Sequence, residues 1–251
     1  LKNKIEKPWF AYIKSHPTAR IRLFCLPYAG GSASIFRRWS DSLPSFIEVV
    51  PIEIPGRGMR IGEKPFKSMK PLVEAIDAAI SDHLDKPFAF FGHSMGALVS
   101  FELIHRILSM RRVRPAHLFF SGRMAPHIVH PAVPSSSLPN NEFVEKLRSL
   151  EGTPVEVLEN PELFALISPI VRADFELLET YIYAPRPRLQ CPITVLGGIT
   201  DKDIIRRDLE AWRKHAAGPF SMHMFPGNHF FLHSHETLVL QTIASTLACS
   251  C

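Results

Sequence analysis

The chain has 251 residues, 46% of them hydrophobic and 21% charged, with a formal net charge of +5. That length supports one α/β domain with a sizeable core, and no apolar run approaches the ~18–20 residues of a bilayer-spanning helix. The basic residues fall in small groups (Arg37/Arg38, Arg57/Arg60, Arg111/Arg112/Arg114, Arg206/Arg207) without the interleaved aromatics of a nucleic-acid face, so most of them read as solvated surface.

The N-terminal stretch LKNKIEKPWFAYIKSHPTARIR has neither a continuous apolar run nor a small-residue cleavage site, so no secretory signal is expected. IRLFCLP (21–27) predicts a strand, followed by the loop YAGGSAS and a helix from Ile35 to Leu43. IEVVPIEIP (47–55) predicts a second strand, in which Pro51 marks a break or an edge because it cannot donate to a ladder. After the loop GRGMRIGEKPFKS, Leu72, Val73, Ile76, Ala79, Ile80 and Leu84 recur at helical spacing over 70–84. PFAFF (87–91) is continuously apolar, as a strand buried on both faces should be. The helix ALVSFELIHRIL follows, with Ala97, Phe101, Ile104 and Leu108 on one face. HLFFSG (117–122), CPITVLGG (191–198) and FSMHMFPG (220–227) predict three more strands, with helices over about 203–216 and 235–248. This alternation predicts a mostly parallel sheet with helices on both faces.

Residues 127–187 break the rhythm, with no clear strand. PNNEFVEKLRSLEG reads as a helix with an Asn cap and a Gly stop, and NPELFALISPIVRADFELLETYIY as a helix interrupted by Pro169. The expectation is a single domain over 1–251 with a helical lid inserted at about 127–187. The apolar residues of that insertion include Phe143, Leu147, Leu163, Phe164, Phe175, Leu178 and Tyr181; some must face the core and some an enclosed ligand, and periodicity does not sort them. Cys25, Cys191, Cys249 and Cys251 lack metal-ligand spacing with histidines, so reduced thiols, a cytoplasmic location and no metal site are expected.

The chemistry concentrates in FFGHSMGALVSFEL. A buried strand, G-x-S-x-G and an amphipathic helix form the context of a nucleophile elbow around Ser94. Glycines at 92 and 96 let neighbouring backbone approach, and the next N–H, that of Met95, falls at a helix N-terminus where it can meet an oxyanion. A serine needs a base, and the base an orienting acid, in loops at later strand ends. VLGGITDKD offers Asp201, with Asp203 as its competitor. FPGNHFFLHSHE offers His229, with His233 and His235 placed on the following helix. The loop after the first strand offers the Ala29 N–H as second oxyanion donor, with Gly30 next. His93 reads as a packing residue behind the site, and no role is assigned to Arg57.

Together LFCLPYAGGSA, PIEIPGRGMR, FFGHSMGALVSFEL, VLGGITD and FPGNHFFL resemble the stand-alone type II thioesterases of non-ribosomal peptide and polyketide assembly lines. Animal medium-chain acyl carrier protein hydrolases share the pattern, and a general carboxylesterase is the remaining alternative. The resemblance implies an α/β-hydrolase fold with Ser94, Asp201 and His229 as triad and Ala29 and Met95 as oxyanion donors. It implies acyl or peptidyl carrier proteins as partners, a phosphopantetheine carried by the partner and no cofactor of the enzyme's own. The sequence itself gives no sign of dimerisation, so a monomer acting on neither nucleic acid nor membrane is expected. Asn228 departs from the Gly or Asp common before the histidine, and Asn tolerates the same left-handed backbone.

Overall fold

The structure is a computed structural model and describes residues 9–14, 16–111, 113–129 and 134–249. Residues 1–8, Ser15, Arg112, residues 130–133 of the insertion, Ser250 and Cys251 lie outside the described residues.

Six strands form one sheet in the order β2-β1-β3-β4-β5-β6, every neighbouring pair parallel: β1 (Ile21–Leu26), β2 (Ile47–Pro51), β3 (Phe88–His93), β4 (His117–Ser121), β5 (Ile193–Gly198) and β6 (Phe220–Phe225). β1 to β5 are buried along their whole length, which is why their sequences run continuously apolar. Both readings of Pro51 hold, since β2 ends there and is an edge of the sheet.

The helices are α1 (Trp39–Ser42), α2 (Met69–Ile80), α3 (Met95–Met110), α4 (Asn140–Leu150), α5 (Val155–Glu159), α6 (Pro161–Glu179), α7 (Arg206–Glu210), α8 (Phe231–Ser234) and α9 (Glu236–Ala248). One core, containing Phe90, Leu98, Phe101, Phe120 and Trp212, packs α2, α3 and α7 on one face of the sheet. A second, containing Phe36, Trp39, Phe91, Val239 and Ile243, packs α1 and α9 on the other. The chain enters at β1, crosses to β2, then returns to the opposite side of β1 as β3. The crevice at the C-terminal ends of β1 and β3 is therefore a topological switch point, where open parallel sheets bind ligands.

Several expected elements differ in detail. The helix over Ile35–Leu43 is a 3-10 turn (Ala33–Phe36) and the single turn α1, and that over 203–216 is α7 followed by a 3-10 turn (Ala211–His215). α6 is continuous through Pro169, not interrupted by it. Pro169 removes one hydrogen bond to the Ala165 carbonyl, but both residues are exposed, so water can serve that carbonyl while the opposite face of α6 stays packed. α4 has Pro139 at its N-cap with no side-chain cap, and Asn140 instead accepts from Arg172. Its left-handed stop is Glu151 (φ 58°), not Gly152. Gly152 instead lets Phe230 approach: a Cβ there would sit 2.2 Å from the tip of its ring, which would have to move aside.

Among the basic groups, Arg57 and Arg60 are buried rather than solvated, and Arg111 is paired with Asp77. Cys25 and Cys191 are buried, unpaired thiols whose pKa burial raises.

Candidate active site

The site grows from the switch point. β3 runs out at His93, and Ser94 turns the chain sharply with φ 52° and ψ −111°, a left-handed φ at a residue with a side chain. The Ser94 N–H donates to the Ser121 carbonyl at 2.8 Å, which fixes the elbow to the end of β4. Both flanking glycines are sterically obligatory. A Cβ on Gly92 would lie 2.2 Å from the Gly96 carbonyl oxygen, and one on Gly96 would lie 2.2 Å from that of Leu26 in β1. Ser94 thus stands at the N-cap of α3, and Met95 is its first residue.

Asp201 and His229 reach the same region from the ends of β5 and β6. His229 Nδ1 lies 2.7 Å from Asp201 Oδ2, and the Asp201 side chain is 1% exposed against 20% for the imidazole. The other carboxylate oxygen of Asp201 accepts from the backbone N–H groups of Asp203 (3.0 Å) and Ile204 (3.1 Å). Asp201 is therefore the acid placed against the histidine, while Asp203 contributes a backbone donor and leaves its own side chain exposed. The positive φ in the histidine loop belongs to Gly227 (+102°), so Asn228 is not called on for the left-handed backbone it tolerates. The Asn228 side chain accepts from the Phe230 N–H (2.9 Å) and donates to Glu151 (2.7 Å) at the end of α4.

Ser94, His229 and Ala29 open onto one cavity of about 580 Å³. Its far wall is Leu147, Leu150, Val171, Phe175 and Leu178 from the helices between β4 and β5. The structure sorts what periodicity did not: Leu147, Phe175 and Leu178 face this cavity, Phe143 and Phe164 pack among the helices, and Leu163 is 43% exposed. Tyr181 donates to Glu102 instead. A larger, open groove of about 1130 Å³ between α4 and α6 is lined by none of the three residues Ser94, Asp201 and His229.

His93 is fully buried, with Nδ1 2.8 Å from Ser121 Oγ and its ring 5.1 Å from that of His229. Burial, reinforced by the nearby His229 and His233, holds its pKa well below 6.5, so it packs as a neutral ring behind the site. His233 and His235 sit in α8 and at the N-cap of α9; the Tyr28 hydroxyl lies 3.0 Å from His233 Nε2.

Between the two donors proposed for the loop after β1, the structure separates Ala29 from Gly30. The Gly30 N–H is already committed to Asp174 Oδ2 of α6 at 2.7 Å. Asp174 is in turn gripped by Arg57 through two bonds of 2.6 and 2.8 Å. Sequence reading missed this pair. Its only local signal is a charge at position 174 on the face of α6 that otherwise carries Ile170, Val171 and Leu177.

The arrangement brings a serine hydroxyl and a histidine held by a buried carboxylate onto one largely apolar cavity, with the first N–H of α3 beside the serine, the equipment of acyl transfer through serine. Residues 21–247 match the thioesterase domain family. Gramicidin S biosynthesis protein GrsT of Aneurinibacillus migulanus is 42% identical over 95% of this chain and 93% of its own. Linear gramicidin dehydrogenase LgrE of Brevibacillus parabrevis is 43% identical over 95% of this chain and 92% of its own. The type II thioesterase BorB from the borrelidin biosynthetic cluster superposes with a TM-score of 0.86, at 36% identity, over 94% of this chain and 96% of its own.

Proposed function

The chain belongs to the thioesterase family, and we propose that it hydrolyses acyl thioesters on the phosphopantetheine arms of acyl or peptidyl carrier proteins, clearing misprimed or stalled groups from a peptide or polyketide assembly line. The observation that carries this reading is the opening of the strained Ser94 elbow onto the same cavity as His229, itself held 2.7 Å from Asp201. The pathway comes from the relatives, GrsT and BorB being named for gramicidin S biosynthesis and the borrelidin cluster. The dehydrogenase name of LgrE belongs to that protein; the residues at the strand ends here are those of acyl transfer.

In this mechanism His229 takes the Ser94 proton as Oγ attacks the thioester carbonyl carbon. Asp201 fixes the imidazole tautomer and stabilises the imidazolium. The N–H groups of Ala29 and Met95 receive the oxyanion of the tetrahedral intermediate. Collapse breaks the C–S bond as the imidazolium of His229 gives its proton to the departing sulfur; the phosphopantetheine thiol leaves with less acid help than an alcohol needs, because a thiol has a pKa of about 8.5. Water, deprotonated by His229, then attacks the acyl-serine; the carboxylic acid leaves and Ser94 recovers its proton. Every step uses protein groups and water, with no cofactor beyond the arm that the partner brings. The helices of 127–187 act as a lid whose apolar wall receives the acyl chain, on a monomeric enzyme of the cytoplasm.

The test loads a carrier protein with acetyl, propionyl, hexanoyl, decanoyl and aminoacyl groups and follows release by the native protein and by Ser94→Ala. Broad, slow release that Ser94→Ala abolishes is the expected result. Sharp preference for one medium chain would turn the reading toward a product-releasing hydrolase. Cleavage of simple esters with carrier-bound groups untouched would replace it with an esterase.

A further inference from the structure

Two side chains that the acyl-transfer steps do not use stand directly behind the oxyanion loop. Arg57 and Asp174 are 3% and 2% exposed, an ion pair closed off from solvent between the loop after β2 and α6. Burying two charges is costly unless their geometry is very good and their remaining valences are used. Here Arg57 Nη1 and Nη2 fork onto the two oxygens of Asp174 at 2.6 and 2.8 Å. Two further bonds go to the loop, while Arg57 Nε has no partner: Asp174 Oδ2 accepts from the Gly30 N–H at 2.7 Å, and Arg57 Nη1 donates to the Gly31 carbonyl at 3.3 Å.

The geometry of that loop gives these bonds a purpose. The Gly31 N–H donates to the Tyr28 carbonyl at 2.9 Å, which closes a four-residue turn over Tyr28–Gly31. Its third residue, Gly30, has φ +77°, while Ala29 does not have a positive φ. That combination is a type II turn. Types I and II differ by a flip of the central peptide, here the Ala29 carbonyl and the Gly30 N–H. With the N–H facing Asp174, a hydrogen bond forms; after a flip, the Ala29 carbonyl oxygen would face a carboxylate with no proton between them. A charged Asp174 therefore selects one turn, and Arg57 holds Asp174 to that task. α6 also closes on the same glycine, since a Cβ on Gly30 would meet a Val171 methyl at 3.1 Å.

We propose that Arg57 and Asp174 are positioning residues that lock the oxyanion turn, so that catalysis requires α6 to be docked on the loop carrying Ala29. This rests on the reading of Ala29 as an oxyanion donor to acyl transfer at Ser94. Donors of this kind act by being fixed in place before charge develops, and a turn that has lost its anchor on α6 can shift as a whole, carrying the Ala29 N–H with it. The pair thereby couples the helices over the cavity to the chemistry beneath them.

The test compares ground-state and transition-state recognition in Asp174→Asn, whose amide can face the turn with either its oxygen or its NH2 group. The substrate is hexanoyl-pantetheine, the ground-state probe its non-hydrolysable thioether, and the transition-state probe a trifluoromethyl ketone analogue that forms a tetrahedral adduct with serine. We expect kcat to fall at least about ten-fold, part of the 10²–10³ that a whole donor supplies. Ketone affinity should fall by the same factor as kcat/KM, while KM and thioether affinity stay within about two-fold. Arg57→Lys, which keeps the charge and loses the fork, should recover part of the loss. If Asp174→Asn leaves Arg57 an uncompensated buried charge and unfolds the protein, Arg57→Gln/Asp174→Asn removes both charges and carries the same comparison. Unchanged kcat in a folded variant, or equal losses for thioether and ketone, would overturn the proposal. Turnover by Ser94→Ala would instead remove the acyl-serine reading itself, a separate result read on a separate variant.

Discussion

At the scale of the residue, the question at strand β5's end is which of two aspartates orients His229. Asp201 has all its acceptor capacity organised: Oδ2 faces His229 Nδ1 while Oδ1 takes two backbone N–H groups. A carboxylate held this way fixes one imidazole tautomer, with the proton on Nδ1 and the lone pair of Nε2 free to act as base. Asp201→Asn could present its NH2 group to Nδ1 and invert that tautomer. We therefore expect kcat to fall by about 10³–10⁴, with stability little changed. Asp203 gives Asp201 only its backbone N–H, which Asp203→Asn retains, so that variant should stay within a few-fold of native kcat. Single-turnover hydrolysis of one acyl-carrier substrate by both variants decides it, and the reverse ranking would move the acid to Asp203. The serine, acid and histidine were legible in sequence because each sits at the end of an apolar strand run, a local signal. Arg57 and Asp174 were not, because their partnership spans 117 residues and exists only once α6 is folded over the loop.

Elements depart from sequence expectation where packing outweighs local preference. β1 to β5 were readable from their apolar runs, since burial on both faces leaves no alternation to confuse them, whereas the edge strand β6 alternates in burial. α6 was legible except for its continuity. Proline costs about 3 kcal/mol in a helix interior, yet Phe164, Ile170, Val171, Ala173 and Leu177 bury one face of α6 on both sides of Pro169. Asn160 adds a cap, its side chain accepting from Glu162 N (3.0 Å) and Leu163 N (3.1 Å), and Pro161 occupies the first turn where its missing N–H costs nothing. The helix is thus held from its start and along its face, and one missing bond in the middle is tolerated. Pro169→Ala restores that bond at an exposed site. It should raise stability by about 1–3 kcal/mol in urea denaturation without changing kcat; a drop in stability would mean that the ring itself packs against α4.

At the scale of the molecule, two charge effects follow from the same structure. The net charge of +5 includes Arg37 and Arg38, both exposed beyond the loop after β1, whereas Arg57, Arg60 and Arg111 are committed to internal partners. If carrier proteins present acidic surfaces, Arg37→Glu/Arg38→Glu should lower kcat/KM for carrier-bound substrate at low salt and flatten its salt dependence, with soluble pantetheine thioesters unaffected; an unchanged salt dependence would place docking elsewhere. The second effect concerns folding. Burial holds His105, His117 and His215 near a pKa of about 4, so all three are neutral in the native state at pH 5 to 6, and it shifts His93 well below 6.5 in the same direction. In the unfolded chain they titrate near 6.5. Below that pH the unfolded state binds the extra protons, so stability falls as pH falls, from about 6.5 down to about 4, where the native rings begin to titrate too. Above 7 both states are neutral and the effect vanishes. Each histidine withdraws up to about 1.4 kcal/mol per pH unit once well below 6.5, and four acting together give a steep slope before most carboxylates titrate. The melting temperature should therefore be flat from pH 8 to 7 and fall markedly from 6.5 to 5. His117, whose Nε2 lies 2.8 Å from Thr194 Oγ1 and far along β4 from the serine elbow, isolates the cause. His117→Gln keeps a polar partner for Thr194 and cannot titrate, so it should lose overall stability yet show a shallower slope than the native protein over that window. An identical slope would mean that the acid sensitivity arises from carboxylate pairs such as Arg22–Glu48 rather than from buried neutral imidazoles.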